Sequence, residues 1–256
     1  MIHPTAIVDP GAKLGEGVEV GAYSIIGANV EIGAGTTIGP HVVIKGPSVI
    51  GRDNRIFQFS SIGEEPQDKK FRGESSRLIV GDRNVIREFV TLNRGTEDGG
   101  NETVIGSDNL FMAYTHVAHD GIVGDHIVFA NAASVSGHVE VGSYVILGGF
   151  TSVHQFAKIG ERAFLGLGSV VTQDIPPFTT AAGNRARIVG INKEGLKRHG
   201  FDSALIQALH KSCRELLKTR GSKTQVFENL KPLCDKYPEV DKFVSFVKNS
   251  KRGIAS

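Results

Sequence analysis

The segment YTHVAHDGIVGDH, residues 114–126, concentrates three histidines and two aspartates in a chain that is otherwise aliphatic and rich in glycine. Imidazole is the side chain that exchanges a proton near neutral pH, and it is also a common metal ligand. Proton transfer and metal binding therefore compete as the chemistry of this segment. Which of these side chains can act together depends on the elements that position them.

An aliphatic residue recurs at every sixth position over the first 62 residues. These eleven anchors are Ile2, Val8, Leu14, Val20, Ile26, Ile32, Ile38, Ile44, Ile50, Ile56 and Ile62. A period of six fits neither a helix nor a simple hairpin sheet, but it fits a triangular solenoid with one short strand and one corner per hexad. Three hexads then make one coil of 18 residues.

The hexad register is interrupted twice and ends before the C-terminus. We predict loop excursions near 63–79 and 93–104, and loops on a rigid scaffold often carry binding residues. Helical periodicity begins later, with Asp202 capping a first helix through Arg220, a second helix after Thr224 and a third near Pro238. We therefore predict a solenoid over 1–191 and a helical domain over 192–256.

Charge and hydropathy narrow the function classes. Residues 192–256 carry 14 Lys and Arg against 7 Asp and Glu, whereas residues 1–191 carry 15 against 20. A basic appendage suggests an acidic or phosphate-bearing partner, but its few aromatic residues argue against nucleic acid. The sequence has no long apolar run for membrane insertion and no leader pattern, so we expect a cytoplasmic protein.

The repeat predicts which histidines share a surface. Residues 18 apart stack on adjacent coils about 4.8 Å apart. The stacked anchors beside the histidines are Val117, Val135 and Val153. His119, His138 and His154 should then lie on one face, with His116 just before the corner leading to it. An open face encloses nothing, so we expect oligomerisation with the site between subunits.

The hexads resemble those of the hexapeptide-repeat proteins, and this resemblance implies a mainly β fold: a left-handed parallel β-helix with a C-terminal α-helical domain. The motifs THVAHD, SGH, VHQF and NKEGLKRHGF resemble more narrowly the UDP-N-acetylglucosamine acyltransferases of lipid A biosynthesis. This family implies a cytoplasmic homotrimer that uses no cofactor or metal. Its members move a 3-hydroxyacyl group from acyl carrier protein to the sugar 3-hydroxyl.

The resemblance also implies residue roles. His119 would be the general base of a direct transfer, the N–H of Gly137 would stabilise the oxyanion, and Asp120 would orient the base, although adjacent strand residues point to opposite sides. The further positions implied to bind substrate are Asp68, Lys70, His116, His138, His154, Gln155, Asn192, Glu194 and Arg198.

Two further sets of residues bear on the acyl donor. Leu167 stands where a bulky side chain would close the acyl groove and so favour shorter chains. The basic residues that would dock acyl carrier protein are Lys211, Arg214, Lys218 and Arg220. His199 and Arg185 depart from residues common in the family, which leaves the details of phosphate contact open.

Several alternatives stay open at this point. The sister N-acyltransferase shares the hexads but carries an extra N-terminal domain, for which hexads beginning at Ile2 leave no room. A γ-type zinc carbonic anhydrase and a non-catalytic solenoid are the alternatives from other classes. The sequence does not distinguish a 3-hydroxyl from a 3-amino acceptor sugar, and it does not fix the acyl chain length.

Overall fold

The computed structural model describes residues 1–218 and 223–256 and contains a triangular coil of parallel strands followed by helices. Each coil contributes one short strand to each of three sheets. The left-handed parallel β-helix with C-terminal helices that the sequence predicts is confirmed. The β-branched anchors suit these strands because they pack against the rungs above and below.

The strands fall into three sheets, which we call sheets 1, 2 and 3. Sheet 1 contains Ile7–Val8, Ile25–Ile26, Val43–Ile44, Ser61–Glu64, Thr91–Asn93, His116–Val117, Ser134–Val135, Ser152–Val153 and Val170–Val171. Sheet 2 contains Lys13–Leu14, Val30–Ile32, Ser48–Ile50, Arg77–Val80, Glu102–Ile105, Ile122–Val123, Glu140–Val141 and Lys158–Ile159. Sheet 3 contains Glu19–Val20, Thr37–Ile38, Arg55–Ile56, Val85–Ile86, Leu110–Phe111, Val128–Phe129, Ile146–Leu147, Phe164–Leu165, Thr179–Ala182 and Arg187–Ile191. Only the last of these strands pairs antiparallel, and it closes this end of sheet 3.

From Val20 onward the anchors point into the triangle, are buried and form the core. Val117, Val135 and Val153 are directly paired in sheet 1, and all three are fully buried. Polar side chains also enter this core where they can bridge coils. Asn54 and Asn84 are buried, and the Asn84 amide donates to Asn54 Oδ1 at 3.0 Å, so neither amide is left without a partner.

Most corners of the triangle are two-residue turns whose second residue adopts a positive φ. We name the corners by the sheets that they join, in chain order: the sheet 1–2, sheet 2–3 and sheet 3–1 corners. Glycine is not required at the second position, since Asp120, His138 and Tyr144 have φ values of 58°, 59° and 62°. This backbone conformation aims the corner side chains outward and not along a strand.

Both predicted excursions leave the coil between sheet 1 and sheet 2. Strands extend further into them than predicted, so the irregular segments are residues 65–76 and 94–101, the second containing a 3-10 helix at Glu97–Gly99. The strands are longer because Arg77–Val80 pairs along its full length with Glu102–Ile105. Both excursions therefore emerge at the sheet 1–2 corner, on successive coils.

Among the described residues, four helices follow the last strand. They are α1 (Lys193–Arg198), α2 (Ser203–Lys218), α3 (Lys223–Lys236) and α4 (Pro238–Asn249). Asp202 caps α2, as predicted, by accepting from the Leu205 amide at 2.7 Å. The short α1 was not predicted, and α3 starts at Lys223 instead of after Thr224. The predicted end of the first helix at Arg220 lies outside the described residues.

Candidate functional site

The predicted histidines lie along the sheet 1–2 corner and not on a flat face. His119 and Gly137 occupy the first corner position of successive coils, and Asp120 and His138 occupy the second. The His138 amide donates to the His119 carbonyl at 3.0 Å, which holds the two turns together. The prediction of a shared face was wrong because residues after an anchor belong to the turn.

The Asp120 side chain lies beside the His119 ring, contrary to the expectation from strand alternation. His119 Nδ1 is 2.7 Å from Asp120 Oδ2, and only 1% of the Asp120 side chain is exposed. The two side chains converge because Asp120 has a φ of 58°, which breaks the alternation of a strand. The structure therefore contains a histidine–carboxylate pair at the surface of the corner.

The Asp120 carboxylate is held from several sides. The Thr96 amide donates to Oδ1 and the Thr96 hydroxyl donates to Oδ2, both at 2.7 Å. Burial raises the pKa of Asp120, but the hydrogen bonds from His119 and Thr96 outweigh it and keep that pKa below its ordinary value. Asp120 is therefore an ionised carboxylate that accepts a hydrogen bond from the Nδ1–H of His119.

His138 lies across the same carboxylate, on the next coil. Its Nε2 is 3.6 Å from Asp120 Oδ2, its ring meets the His119 ring edge-on, and Phe156 of the following coil stacks on its other side at 4.4 Å between centroids. Burial lowers the pKa of His138, although the charges of Asp120, Asp68 and Asp98 oppose that shift. The neutral ring is thus favoured near neutral pH.

His116 lies three residues before His119, on the sheet 1 strand that leads into the corner. Its Nδ1 is 2.7 Å from the Thr91 hydroxyl of the preceding coil. Burial, with the nearby His119, lowers the pKa of His116. This ring is consequently a neutral hydrogen-bonding group next to the pair.

Gly137 is required where it stands because the His119 ring lies directly over it. A Cβ at this position would come within 2.6 Å of His119 Cε1. Its amide donates no hydrogen bond within the described residues, so this N–H remains available at the corner. Any side chain here would push the ring away from the corner.

The first excursion brings Asp68 and Lys70 to the same corner. Asp68 is close enough to act on the charge of His138, and its Oδ1 accepts from the Lys70 amide at 3.0 Å. The Lys70 side chain is exposed and makes no ion pair among the described residues. Asn93, at the start of the second excursion, anchors the first by donating to the Glu65 carbonyl at 2.8 Å.

His154 and Gln155 lie one coil further along, and both are exposed. Arg252, from the C-terminal segment, reaches His154 Nδ1 with its Nη2 at 3.1 Å. Beside them a cleft of about 950 Å³ runs over sheet 2 from His138 and Phe156 to α4. The corner thus opens directly into a space large enough for a bound molecule.

The predicted nucleotide residues lie elsewhere in the chain. Asn192 caps α1 by accepting from the Gly195 amide, and its Nδ2 donates to the Arg162 carbonyl at 3.0 Å. Glu194 and Arg198 are exposed on the same helix. Helix α1 adjoins the sheet 2–3 corner, where His199 meets the Tyr144 ring at 5.0 Å.

The remaining predicted residues are also away from the pair. Leu167 lies at the sheet 3–1 corner, where it is 76% exposed. Lys211 and Arg214 are exposed on α2, and Lys211 is 3.9 Å from Glu215. The Lys218 side chain and Arg220 lie outside the described residues. One chain therefore brings together the first-excursion and histidine positions but not α1 or Leu167.

Three contacting residues were missed from the sequence. Phe156 is 18 positions after His138, so the repeat alone could have placed it on that ring. Thr96 and Arg252 belong to a loop and a terminal segment without periodicity. No signal in the sequence indicates that Thr96 contacts Asp120 or that Arg252 contacts His154.

His119, Asp120 and His138 offer three potential metal-ligating atoms within 4.8 Å of one another. Their spacing fits hydrogen bonding better than coordination. Two nitrogen or oxygen ligands at about 2.1 Å from a tetrahedral zinc are roughly 3.4 Å apart. The 2.7 Å between His119 Nδ1 and Asp120 Oδ2, together with the two bonds from Thr96, is the geometry of an oriented imidazole.

The coil of hexads is the fold of a hexapeptide-repeat protein, and comparison with known proteins gives its class as a transferase. Residues 1–34 match the family model described as bacterial transferase hexapeptide (six repeats). Residues 174–255 match the model described as UDP N-acetylglucosamine O-acyltransferase, domain 2.

Full-length relatives specify the family. The acyl-[acyl-carrier-protein]–UDP-N-acetylglucosamine O-acyltransferase of Herminiimonas arsenicoxydans is 53% identical, over 99% of this chain and 98% of the relative. Solved structures of LpxA from Acinetobacter baumannii (43% identity) and of UDP-N-acetylglucosamine O-acyltransferase (LpxA) from Moraxella catarrhalis RH4 (40% identity) each superpose with a TM-score of 0.97, over 100% of this chain and 99% of theirs. The chain belongs to the family of acyl-[acyl-carrier-protein]–UDP-N-acetylglucosamine O-acyltransferases, and it is an enzyme. Neither a carbonic anhydrase nor a non-catalytic solenoid is favoured by these relatives.

Within the described ranges, 1–218 and 223–256, no helix has the length and apolarity to span a bilayer.

The lowered pKa of His116 predicts how stability depends on pH. Between the ordinary histidine pKa and the lowered one, the unfolded chain binds a proton that the folded chain does not. Stability should therefore fall as the pH is lowered through this window, and His116→Gln should reduce that slope. Urea unfolding from pH 8 to pH 5 at fixed protein concentration measures it. His210→Gln, at an exposed helical position, is the control, and equal slopes for His116→Gln and the unsubstituted protein would contradict the prediction.

Proposed function

We propose that this enzyme transfers a 3-hydroxyacyl chain from acyl carrier protein to the 3-hydroxyl of UDP-N-acetylglucosamine, the first step of lipid A biosynthesis. The observation that carries the proposed mechanism is the 2.7 Å contact between His119 Nδ1 and the buried Asp120 carboxylate. With Nδ1–H donated to Asp120, Nε2 carries the lone pair, and within the described residues it makes no hydrogen bond. A full-length relative named for the same donor and acceptor supports the substrates.

The transfer needs one base and no acyl-enzyme. The sugar 3-hydroxyl oxygen attacks the thioester carbonyl carbon while His119 Nε2 takes its proton. The resulting oxyanion receives a hydrogen bond from the Gly137 N–H. Collapse breaks the carbon–sulfur bond, and the leaving thiolate of the carrier takes the proton from His119. Asp120 stabilises the imidazolium that exists between these two proton transfers.

The other corner residues serve to hold the substrates. His138 borders the cleft, His154 and Gln155 are exposed one coil further along, and His116 presents a neutral ring beside the base. Asp68 and Lys70 supply a carboxylate and a free ammonium from the first excursion, suited to sugar hydroxyls and a nearby phosphate or carbonyl. A 3-amino sugar could attack in the same way, so the acceptor is part of the proposal.

The nucleotide is bound by a second subunit of a homotrimer. Asn192, Glu194 and Arg198 lie by the sheet 2–3 corner, whereas the base lies at the sheet 1–2 corner, so a site containing both sets needs two chains. An exposed apolar stripe along the sheet 3–1 corner supports association. The members of this stripe are Tyr23, Phe59, Phe89, Tyr114, Phe150 and Leu167.

Acyl carrier protein docks on the basic helical region. Lys211 and Arg214 are exposed on α2, where fixed positive charges would steer an acidic carrier. Lys218 and Arg220 are included in the proposed surface only because they follow Lys211 and Arg214 closely in the sequence. The carrier would then present its acyl thioester to the corner.

The reaction and its base are tested together. Purified protein and His119→Ala are incubated with UDP-N-acetylglucosamine and a series of 3-hydroxyacyl carrier proteins, and products are weighed by mass spectrometry. We expect an acylated nucleotide sugar whose rate of formation falls about a hundred- to ten-thousandfold in the variant, the usual contribution of a positioned base. His210→Ala, which replaces an exposed helical histidine, is the matched control.

Two outcomes would count against the proposal in different ways. If product formed only with a sugar that carries a 3-amino group, the acceptor would be the amino sugar, and the proposed role of His119 would be unaffected. An unchanged rate in His119→Ala would remove the general base and leave the substrates in place.

Leu167 should set the preferred chain length once a neighbouring subunit covers it. Leu167→Gly removes the side chain, so we expect kcat/KM for the longest donor, relative to the shortest, to rise about tenfold or more. Val49→Ala, at an exposed aliphatic position on sheet 2, is the control. Best turnover on the longest donors by the unsubstituted protein would show that Leu167 does not limit the groove.

A further inference from the structure

The second excursion closes over the back of the histidine–carboxylate pair. Thr96 is 4% exposed and donates twice to Asp120, from its amide to Oδ1 and from its hydroxyl to Oδ2. Thr103, where the chain returns to the coil, accepts from the Asp120 amide at 2.8 Å. Both ends of this excursion therefore bind Asp120, whose carboxylate contacts His119 Nδ1.

Gly99, at the end of the 3-10 helix, makes this closure possible. A Cβ on Gly99 would overlap the Asp120 carboxylate, so only glycine allows the loop to pass this close. The φ of Gly99 is not in the left-handed region, so alanine would fit its backbone, and the three atoms nearest to the added Cβ all belong to the Asp120 carboxylate. The position is thus specific for contact with Asp120.

The three hydrogen bonds fix both oxygens of the carboxylate. Oδ1 receives the Thr96 amide, and Oδ2 receives both the Thr96 hydroxyl and His119 Nδ1, the last two at 2.7 Å. A carboxylate held in this way cannot rotate without losing a charge-assisted bond. Its direction then sets which His119 nitrogen carries the proton and where the other nitrogen points.

The Thr96 hydroxyl is not needed to anchor the loop. The Thr96 carbonyl accepts from the Asn101 amide at 2.8 Å, and the Gly95 amide donates to the Arg77 carbonyl at 3.3 Å. These backbone bonds, with the Thr96 amide itself, remain when the hydroxyl is removed. The hydroxyl therefore acts on Asp120 and not on the path of the chain.

We propose that Thr96 is a positioning residue for the transfer, which acts through Asp120 to hold His119 in the tautomer and direction of a general base, with Gly99 providing the room. This inference rests on the role of His119 proposed above. Thr96 donates to Asp120 and makes no hydrogen bond to His119 or Gly137. The second excursion thereby serves the base, while the first excursion serves the substrates.

The pH dependence of the pair gives a readout that a purely structural role would not change. The titratable groups facing Asp120 are His119 beside it and His138 at 3.6 Å, and Asp68 and Asp98 act on His138. Removing the Thr96 hydroxyl removes one of the bonds that lower the pKa of Asp120, so that pKa should rise. Activity lost on protonation of Asp120 should then be lost at a higher pH.

The test compares Thr96→Val, Thr96→Ser and Gly99→Ala with Glu97→Gln, at an exposed position of the same loop, as control. Steady-state rates with UDP-N-acetylglucosamine and a 3-hydroxyacyl carrier protein are measured across pH. We expect Thr96→Val and Gly99→Ala to lower kcat about ten- to a hundredfold with little change in KM for the sugar, as loss of an outer hydrogen-bonding partner typically does. Thr96→Ser should recover most of kcat, and the acid limb of Thr96→Val should move to higher pH.

Wild-type kcat and pH profile in a folded Thr96→Val would overturn the positioning role, provided that His119→Ala is inactive. If His119→Ala is active, the proposed base fails instead, so the two failures are distinguishable. Nitrogen NMR of 15N-histidine protein adds a measurement that needs no variant to fold. It should show His119 protonated at Nδ1 near neutral pH, and a proton on Nε2 instead would overturn the inference.

Discussion

The stacking of each residue on the one 18 positions later is the constraint from which the rest of the structure follows. Parallel hydrogen bonding between coils fixes this register, and one slipped residue would turn the inward anchors outward. The constraint leaves little freedom along the strands, because their inner positions must be aliphatic. Most residues of the candidate site therefore lie at or near the corners, where the second residue usually has a positive φ and its side chain faces outward.

The histidine–carboxylate pair lies at the sheet 1–2 corner, and the loop excursions are found at that same corner. In sheet 1, Ser61 pairs with Thr91 and Thr91 with His116, spacings of 30 and 25 residues in place of 18. Both extra segments leave the coil between sheets 1 and 2, on the two coils that precede the turn containing His119. The coil itself stays continuous, so the loops add binding and support groups without disturbing the core. The Asp120 carboxylate is buried at this corner, and Thr96 of the second excursion donates to both of its oxygens.

Some of this arrangement could be predicted from the sequence. The stacking of Val117, Val135 and Val153 follows from the period alone. The stacking of Phe156 on His138 follows from it too, because these residues are 18 positions apart. The side-by-side arrangement of His119 and Asp120 could not be predicted from strand alternation, since it depends on a left-handed turn residue other than glycine. Contacts from Thr96 and Arg252 come from segments without a period, whose paths only the three-dimensional structure gives. The sequence motifs also do not show that Asn192 and Arg198 lie at a different corner from His119, because a motif gives order along the chain and not distance in space.

The claim on which the proposed function depends most is that one catalytic site combines the sheet 1–2 corner of one subunit with α1 of another. The most direct measurement mixes two variants, His119→Ala and Arg198→Ala, each inactive alone, by denaturing and refolding them together at equal concentration. If the site is shared between subunits, about a quarter of the sites formed at random carry both intact groups, and the mixture should recover about that fraction of unsubstituted activity. If each subunit builds its own site, the refolded mixture would be no more active than the two variants apart, and the shared site would be contradicted.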